Sequence, residues 1–271
     1  MEINLKILIS SILTLITLYF IIYTVLKFVL VYIKKIRREK YPKNVVILHQ
    51  FYYDENRPSL SVPCLKLETW LRVTGINYIN EFTYLNRSSQ GQLPFITLNN
   101  IEYHDSQFII EHLSKVYEKN LTEQLSKKDK AIGRAILKLL EESLKWTIYY
   151  HRFMVGKPFH IGIPWILVKT IFKPIIKKSL FLQGYGRHSP EEVYHIGKQD
   201  LQALEDFPDG KRYLFGDTIC NEDVVLFSFI AQLIYYDKGV LNNFLIENCS
   251  GLINHFNLIK NQYWPEWNNF K

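Results

Sequence analysis

The sequence predicts an α+β protein in three parts: an N-terminal transmembrane helix, a mixed β-α-β-β-β-α unit, and an all-helical second domain. Three observations support this prediction. Residues 7–26 are mostly apolar and carry no charged side chain. Residues 45–113 contain short apolar runs and two helix-start signals, and residues 126–263 follow helical spacing almost throughout. We therefore divide the chain into residues 1–40, 41–120 and 121–271.

The first element is the uncharged run over residues 7–26. A helix of this length, at about 1.5 Å per residue, spans roughly the 30 Å hydrocarbon core of a bilayer. Lys27 interrupts the run, and apolar residues then continue to Ile33. A cleaved signal peptide is disfavoured because the run is long and no small-residue cleavage site follows it. The pattern favours a single-pass anchor over residues 7–33.

Basic residues are concentrated beside this anchor. Residues 1–40 hold seven Lys or Arg and two Glu, so they carry +5 of the formal net charge of +7 and leave +2 for the remaining chain. The cluster from Lys34 to Lys40 directly follows the anchor, and the positive-inside rule then places residues 41–271 in the cytoplasm. The charge therefore indicates a membrane partner. No nucleic-acid partner is expected, since the aromatic residues show no base-stacking arrangement.

Four short apolar runs have the length and composition of β-strands: residues 45–48, 78–82, 95–98 and 101–103. A first helix begins after Ser61, a favoured N-cap residue, and ends at Gly75. A second helix begins at Asp105, which is another favoured cap. The predicted order is β-α-β-β-β-α. On the first helix, spacing places Lys66 and Arg72 on the outer face.

The second half of the chain predicts helices. Ser126 begins one of them, and Ser189-Pro-Glu-Glu192 is a capping-box sequence that begins another. Two further helical stretches cover residues 221–236 and 241–263. Residues 166–182 are apolar and basic. We interpret them as a helix that is too short and too rich in lysine to span a membrane.

Cysteine and histidine usage predicts neither disulfides nor a metal site. Three cysteines, Cys64, Cys220 and Cys249, are too few and too scattered for a disulfide framework or a zinc site. The eight histidines show no metal-ligand spacing.

A series of motifs resembles the failed-axon-connections family, which is related to the cadmium-responsive proteins of nematodes and to metaxins. The motifs are His49-Gln-Phe51, Pro58-Ser-Leu-Ser61, Cys64 to Arg72, Phe108-Ile-Ile110, Gly186-Arg187, Asp200, Gly216 and Trp264-Pro-Glu-Trp267. The resemblance covers residues 45–267. It implies a thioredoxin-like half of the glutathione S-transferase N-terminal type and an all-α C-terminal half. It also implies membrane attachment and a link to neuronal development.

The resemblance indicates a glutathione site that begins at Ser61-Val-Pro-Cys64. This sequence is similar to the Ser-x-Pro-Cys of theta-type transferases, which implies that the Ser61 hydroxyl binds the glutathione sulfur. A thiolate near a helix N-terminus is stabilised by the helix dipole. The alternative is that Ser61 only caps the helix. Cys64 is a weaker catalytic candidate, because a lone cysteine on an inner helix face is more often an inert apolar residue.

Four further residues complete the candidate cofactor site. Pro94 matches the proline that is cis in thioredoxin-like folds, which implies that the backbone of Leu93 pairs with a peptide ligand. Asp105 and Ser106 resemble the pair that holds the γ-glutamyl end of glutathione, and capping by Asp105 is the alternative. One departure weakens the site: residues 82–93 are too few for the helix that transferases place before the third strand.

Three functions stay open. The first is a membrane-tethered adaptor with little or no enzymatic activity, which binds an unidentified protein partner. The second is a glutathione-dependent transferase that acts on hydrophobic electrophiles near a membrane. The third is a metaxin-like role in mitochondrial import. Glutathione is the expected cofactor of the second function, no metal is expected, and dimerisation is a further expectation.

Overall fold

The computed structural model describes residues 12–25, 28–29, 40–53, 57–84, 86–156, 166 and 168–269. The basic cluster before Lys40, and residues 7–11, 26–27 and 30–33 of the predicted anchor, lie outside the described residues.

Helix α1 (Ile12–Val25) is apolar, and its large side chains are exposed: Leu15 is 66% and Phe20 is 59% accessible. In the described ranges, no single helix is both long and apolar enough to cross a membrane. One pair, Asn221–Tyr235 with Val240–Asn248, reaches that length and composition together but is bent by 114°. Membrane insertion of residues 7–33 therefore stays a prediction.

The sheet has four strands in the order β2-β1-β3-β4. Strand β1 (Val46–Gln50) pairs in parallel with β2 (Tyr78–Phe82) and antiparallel with β3 (Phe95–Leu98), which pairs antiparallel with β4 (Ile101–His104). Every residue of β1 and β3 is buried, because these two strands are central.

Two helices accompany this sheet. Helix α2 (Val62–Thr74) joins β1 to β2, and α3 (Ser106–Val116) follows β4. The predicted β-α-β-β-β-α order is therefore confirmed. The described residues between β2 and β3 form turns and irregular structure without a helix.

The helical half begins at α4 (Lys127–Lys138), which continues through a π-helical segment (Leu139–Leu144) into α5 (Lys145–Tyr150) and a second π-helical segment (His151–Val155). After residue 166 the described elements are a π-helical turn (Val168–Phe172), α6 (Lys173–Gln183), a 3-10 turn (Tyr185–Arg187), α7 (Pro190–Asp206), α8 (Asn221–Tyr235), α9 (Val240–Asn248), α10 (Ser250–Tyr263) and a final 3-10 turn (Pro265–Asn269).

Helix α8 is the centre of the core. It is buried from Glu222 to Leu233 and packs against α2, so α2 lies between the sheet and the helical half. This position explains a wrong prediction: Lys66 does not face outward. Its side chain is 2% exposed and its ammonium lies 2.9 Å from the carboxylate of Glu141 in the helical half.

The outward placement of Arg72 is also wrong, because the C-terminal segment covers this end of α2. The Arg72 guanidinium donates to the carbonyl of Tyr263 at 2.9 Å and lies 3.5 Å from the ring centroid of Trp264. Trp264 and Trp267 are fully buried, and the Trp264 indole donates to the Thr69 hydroxyl at 3.1 Å. The two final tryptophans therefore fix the end of the chain to both halves.

Candidate functional site

Ser61 occupies the N-cap position of α2, as predicted, but its side chain makes no cap hydrogen bond. Its backbone is extended, with φ −92° and ψ 109°, and the side chain is half-buried. The hydroxyl lies near the thiol of Cys64 and acts to lower its pKa. The geometry thus places a hydroxyl beside a sulfur atom at the start of a helix, and the helix dipole there favours negative charge.

Cys64 is fully buried in a small apolar cluster with Leu93 and Phe95, and Phe51 packs against its edge. Burial raises the pKa of this thiol to about 12, and the nearby Ser61 hydroxyl only partly opposes that rise. The thiol therefore stays protonated at neutral pH. This environment fits an inert core residue and gives no support to Cys64 as a nucleophile.

The Leu93–Pro94 peptide bond is cis, as the motif predicts. The Leu93 side chain packs in the same cluster as Cys64, which brings the proline loop beside the start of α2. The backbone N–H and carbonyl of Leu93 make no hydrogen bond with any described residue.

Asp105 and Ser106 begin α3, and the structure gives them different roles. Asp105 has φ 67°, and its carboxylate accepts from the backbone amides of Gln107 at 2.9 Å and Phe108 at 3.2 Å. The capping alternative for Asp105 is thus realised. The half-buried Ser106 hydroxyl has no hydrogen-bond partner among the described residues.

A cleft of about 570 Å³ lies between the two halves, and Asp105 and Ser106 line it. Ser61, Cys64, Leu93 and Pro94 do not line this cleft, although residues next to them do: Val62, Pro63 and Gln92. The predicted residues are therefore split between the cleft wall and the layer behind it.

The opposite wall of the cleft comes from α4, α5 and the π-helical segment between them, through Arg134, Lys138, Glu141, Lys145 and Tyr149. Sequence reasoning missed these residues because they carry no motif. Two of the basic side chains are paired within the cleft, since Lys138 and Lys145 lie 3.5 and 4.0 Å from the carboxylate of Glu142.

The chain before Ser61 is held by the helical half. The Tyr236 hydroxyl donates to the carbonyl of residue 58, the Gln232 amide donates to that of residue 59 at 3.0 Å, and Arg152 donates to that of residue 60 at 3.1 Å. Three consecutive carbonyls are thus bound from the other domain. We call Arg152, Gln232 and Tyr236 the carbonyl clamp.

Two buried charges support the clamp. Arg152 is 7% exposed, and its Nε donates to Asp237, which is 2% exposed, at 2.9 Å. The Arg152 guanidinium also donates to the Gln232 side-chain oxygen at 2.9 Å. Burial lowers the pKa of Arg152, but the nearby Asp237 carboxylate raises it, and the net shift is upward. The guanidinium therefore stays charged. In the sequence, the only indication of this ion pair was that Arg152 and Asp237 each follow an apolar stretch.

Comparison with known proteins agrees with this architecture. A family model described as the glutathione S-transferase N-terminal domain matches residues 62–157, and one described as the C-terminal domain matches residues 197–259. A solved glutathione transferase family member from Pseudomonas fluorescens, with two glutathione molecules bound, superposes with a TM-score of 0.59 at 12% identity. The match covers 83% of this chain and 92% of that chain, and it shows the fold alone.

Two curated relatives are informative. Isoprene-epoxide glutathione S-transferase from Rhodococcus sp. is 27% identical over 76% of this chain and 94% of its own length. Failed axon connections from Drosophila melanogaster is 35% identical over 86% of this chain, and the match spans 61% of that relative's length. A relationship to metaxins gains no support from these comparisons. The chain is therefore a relative of failed axon connections that contains the two domains of the glutathione S-transferase fold.

Proposed function

We propose that this chain binds glutathione at the junction of its two halves and activates the glutathione thiol through Ser61. The observation that carries the proposal is the Ser61 hydroxyl, which lies at a helix start but does not cap it. A serine with only a capping role would accept a hydrogen bond from a first-turn amide through its side-chain oxygen. Here that oxygen stays beside a sulfur atom, where a second thiol would be stabilised as the thiolate.

Two other groups support glutathione as the ligand. The unpaired backbone of Leu93 suits the extended cysteinyl segment, and the unpaired Ser106 hydroxyl at the start of α3 suits a carboxylate. Solved transferases of the same fold hold glutathione, including the Pseudomonas fluorescens protein. By analogy with the Rhodococcus relative, the second substrate is a small apolar electrophile such as an epoxide.

The test is a calorimetric titration of the full chain with glutathione, followed by a conjugation assay with a generic electrophile. We expect a Kd in the millimolar range or tighter, about −4 kcal/mol or better, and weaker binding in Ser106→Ala. Ser61→Ala should lower kcat/KM about tenfold or more, because less thiolate forms at neutral pH. The matched control is Ser126→Ala, since the Ser126 hydroxyl caps α4 at 3.1 Å.

A second candidate function is that of an adaptor, in which the fold serves as an interaction surface. The observation that favours it is the missing helix between β2 and β3, which leaves one side of the glutathione position without its usual wall. No binding heat and no thermal shift at saturating glutathione would favour the adaptor and overturn the transferase. A role in axon or neuronal development is compatible with either function, through the Drosophila relative.

We further propose that α1 belongs to a membrane anchor and that the two-domain body lies in the cytoplasm. The exposed apolar side chains of α1 support the anchor, and the basic residues that follow it in the sequence support the orientation. The test is flotation of the full chain on phosphatidylcholine vesicles at high salt. Leu18→Lys together with Ile21→Lys should abolish it, and recovery of that variant in the floating fraction would overturn the anchor.

A further inference from the structure

The segment from Val168 to Gln183 presents an apolar face to solvent. Val168 and Leu180 are buried and hold the segment against the helical half. On the other side, Ile171, Ile175 and Leu182 are 49%, 56% and 68% exposed. Their spacing of four and seven residues places them on one face of the helix. Large apolar side chains that share a face and remain exposed mark an interaction site.

Four lysines lie along the same segment, and Lys178 shares the apolar face, because it follows Ile175 by three positions and precedes Leu182 by four. Lys169, Lys177 and Lys178 are exposed, Lys173 is half-buried, and none of the four forms an ion pair with a described residue. We name the surface formed by these lysines and the three exposed apolar residues the 169–182 face.

The surrounding sequence has an uneven charge distribution. Residues 143–190 contain eight Lys or Arg and no Asp or Glu, so their net charge is +8. The body, residues 41–271, carries only +2 in total, which leaves 2 − 8 = −6 for the rest of it. The body therefore has a small net charge because the strongly basic residues 143–190 and the acidic rest of the body largely cancel. Such a region attracts an anionic partner.

We propose that the 169–182 face lies on an anionic lipid bilayer and docks the body of the protein against the membrane. The combination of several exposed lysines with a face of Ile and Leu side chains is typical of helices that lie in the bilayer interface. Lysine side chains can extend to the headgroups while their methylene stems and the apolar residues reach the acyl boundary. This proposal does not depend on the anchor or on the glutathione site, because it rests on other residues.

The experiment places a fluorescent probe on this face in the full chain. The three native cysteines are buried, so Leu182→Cys provides an accessible thiol for an environment-sensitive dye. Val116→Cys, on another exposed position at the end of α3, is the control label. Each labelled protein is mixed with vesicles of phosphatidylcholine alone, or with about a third of phosphatidylserine.

We expect a blue shift of the Leu182→Cys probe, and its quenching by nitroxide-labelled lipid, on the phosphatidylserine vesicles only. Salt at about 1 M should reduce both signals. The triple variant Lys169→Glu, Lys177→Glu, Lys178→Glu should lower the apparent affinity at least about tenfold. A matched triple variant, Lys119→Glu, Lys127→Glu, Lys128→Glu, makes the same change of charge on exposed lysines of another region and should retain the signal.

Three results would overturn the proposal. Equal signals on the two kinds of vesicle would exclude recognition of anionic lipid. An equal loss in both triple variants would show a general charge effect without a defined face. A blue shift without vesicles that grows with protein concentration would show that a second copy covers the face. Failure of the anchor is distinguishable, since it abolishes flotation on phosphatidylcholine and leaves the phosphatidylserine-dependent signal intact.

Discussion

Helices α2 and α7 both begin with a serine, but the two serines have different environments. The Ser189 hydroxyl accepts from the backbone amide of Glu192 at 3.3 Å, and the Glu192 carboxylate accepts from the Ser189 amide at 2.9 Å. Ser61 has Cys64 at the corresponding third position, makes no cap bond and lies near the thiol. The start of α7 is capped by its own side chains, whereas the Ser61 oxygen at the start of α2 accepts no cap hydrogen bond.

The difference shows how a helix start can be fixed without its cap. At α7 the capping box supplies local order. Before α2, residues 58–60 are bound instead by the carbonyl clamp of the helical half. Because the fixing groups bind carbonyls, the chain is held at this point while the Ser61 hydroxyl makes no cap bond. This arrangement suits a site for an anionic sulfur atom.

The largest expected effect comes from breaking the clamp. Arg152→Ala leaves Asp237 buried without its partner and should lower the free energy of unfolding by about 3–5 kcal/mol. Urea unfolding of the full chain measures the loss. The double variant Arg152→Met with Asp237→Leu removes both charges and should be clearly less destabilised. A loss below about 1 kcal/mol for the single variant would show that the clamp is not needed.

The next effect separates the two serines directly. Ser189→Ala removes a formed cap bond and should destabilise the protein by about 1 kcal/mol. Ser61→Ala removes no cap bond, so its loss of stability should be within about 0.5 kcal/mol, while glutathione conjugation falls. Thermal and urea unfolding of both variants provide the comparison. Equal losses of stability would mean that Ser61 caps α2 in solution, which would remove the main support for the transferase.

The fold could be predicted from the sequence because the patterns that indicate its helices and strands are local. Apolar runs and the capping box at Ser189 each depend on a few neighbouring residues. Lys66 and Arg72 were placed wrongly because their partners, Glu141 and Trp264, are far away in the chain. Helical spacing assigns only one face of a helix to the core, but α2 is covered by the sheet on one side and by the helical half on the other.

The candidate site could be predicted only in part from the sequence, for the same reason. Motifs identified Ser61, the Leu93–Pro94 bond and the start of α3, which all lie in one short region. The carbonyl clamp joins residues that are at least 92 positions apart, and no spacing rule relates Arg152 to the backbone of residue 60. Burial, which raises the pKa of the Cys64 thiol, also results from packing that no local pattern expresses.

A smaller effect is expected at Cys64 itself. Cys64→Ala removes one buried sulfur atom and should destabilise the protein by about 0.8 kcal/mol, the value of a methylene-sized group. Conjugation should persist, because the glutathione sulfur and the Ser61 hydroxyl both remain. Steady-state kinetics and urea unfolding measure the two results. Complete loss of conjugation in a folded Cys64→Ala protein would identify Cys64 as the nucleophile and contradict its buried, protonated state.

The smallest effect is the response of the two helix starts to acid. The backbone amide of Ser189 and the side chain of His188 lower the pKa of Glu192, so folding favours its charged form. This contribution is complete above the pKa of an unfolded glutamate, about 4.3, and is lost as the pH falls through the lower, folded value. Helix α2 has no acid at the matching position and should not respond.

Hydrogen exchange in the first turns can detect this difference. The Val193 amide donates to the Ser189 carbonyl at 3.0 Å, and the Leu65 amide donates to the Ser61 carbonyl at 2.9 Å. Between about pH 5 and pH 3, protection corrected for intrinsic exchange should fall at Val193 more than at Leu65. Glu192→Gln should remove the difference in slope. Parallel slopes in the unmodified protein would show that the capping box at α7 contributes no more order than the clamped start of α2.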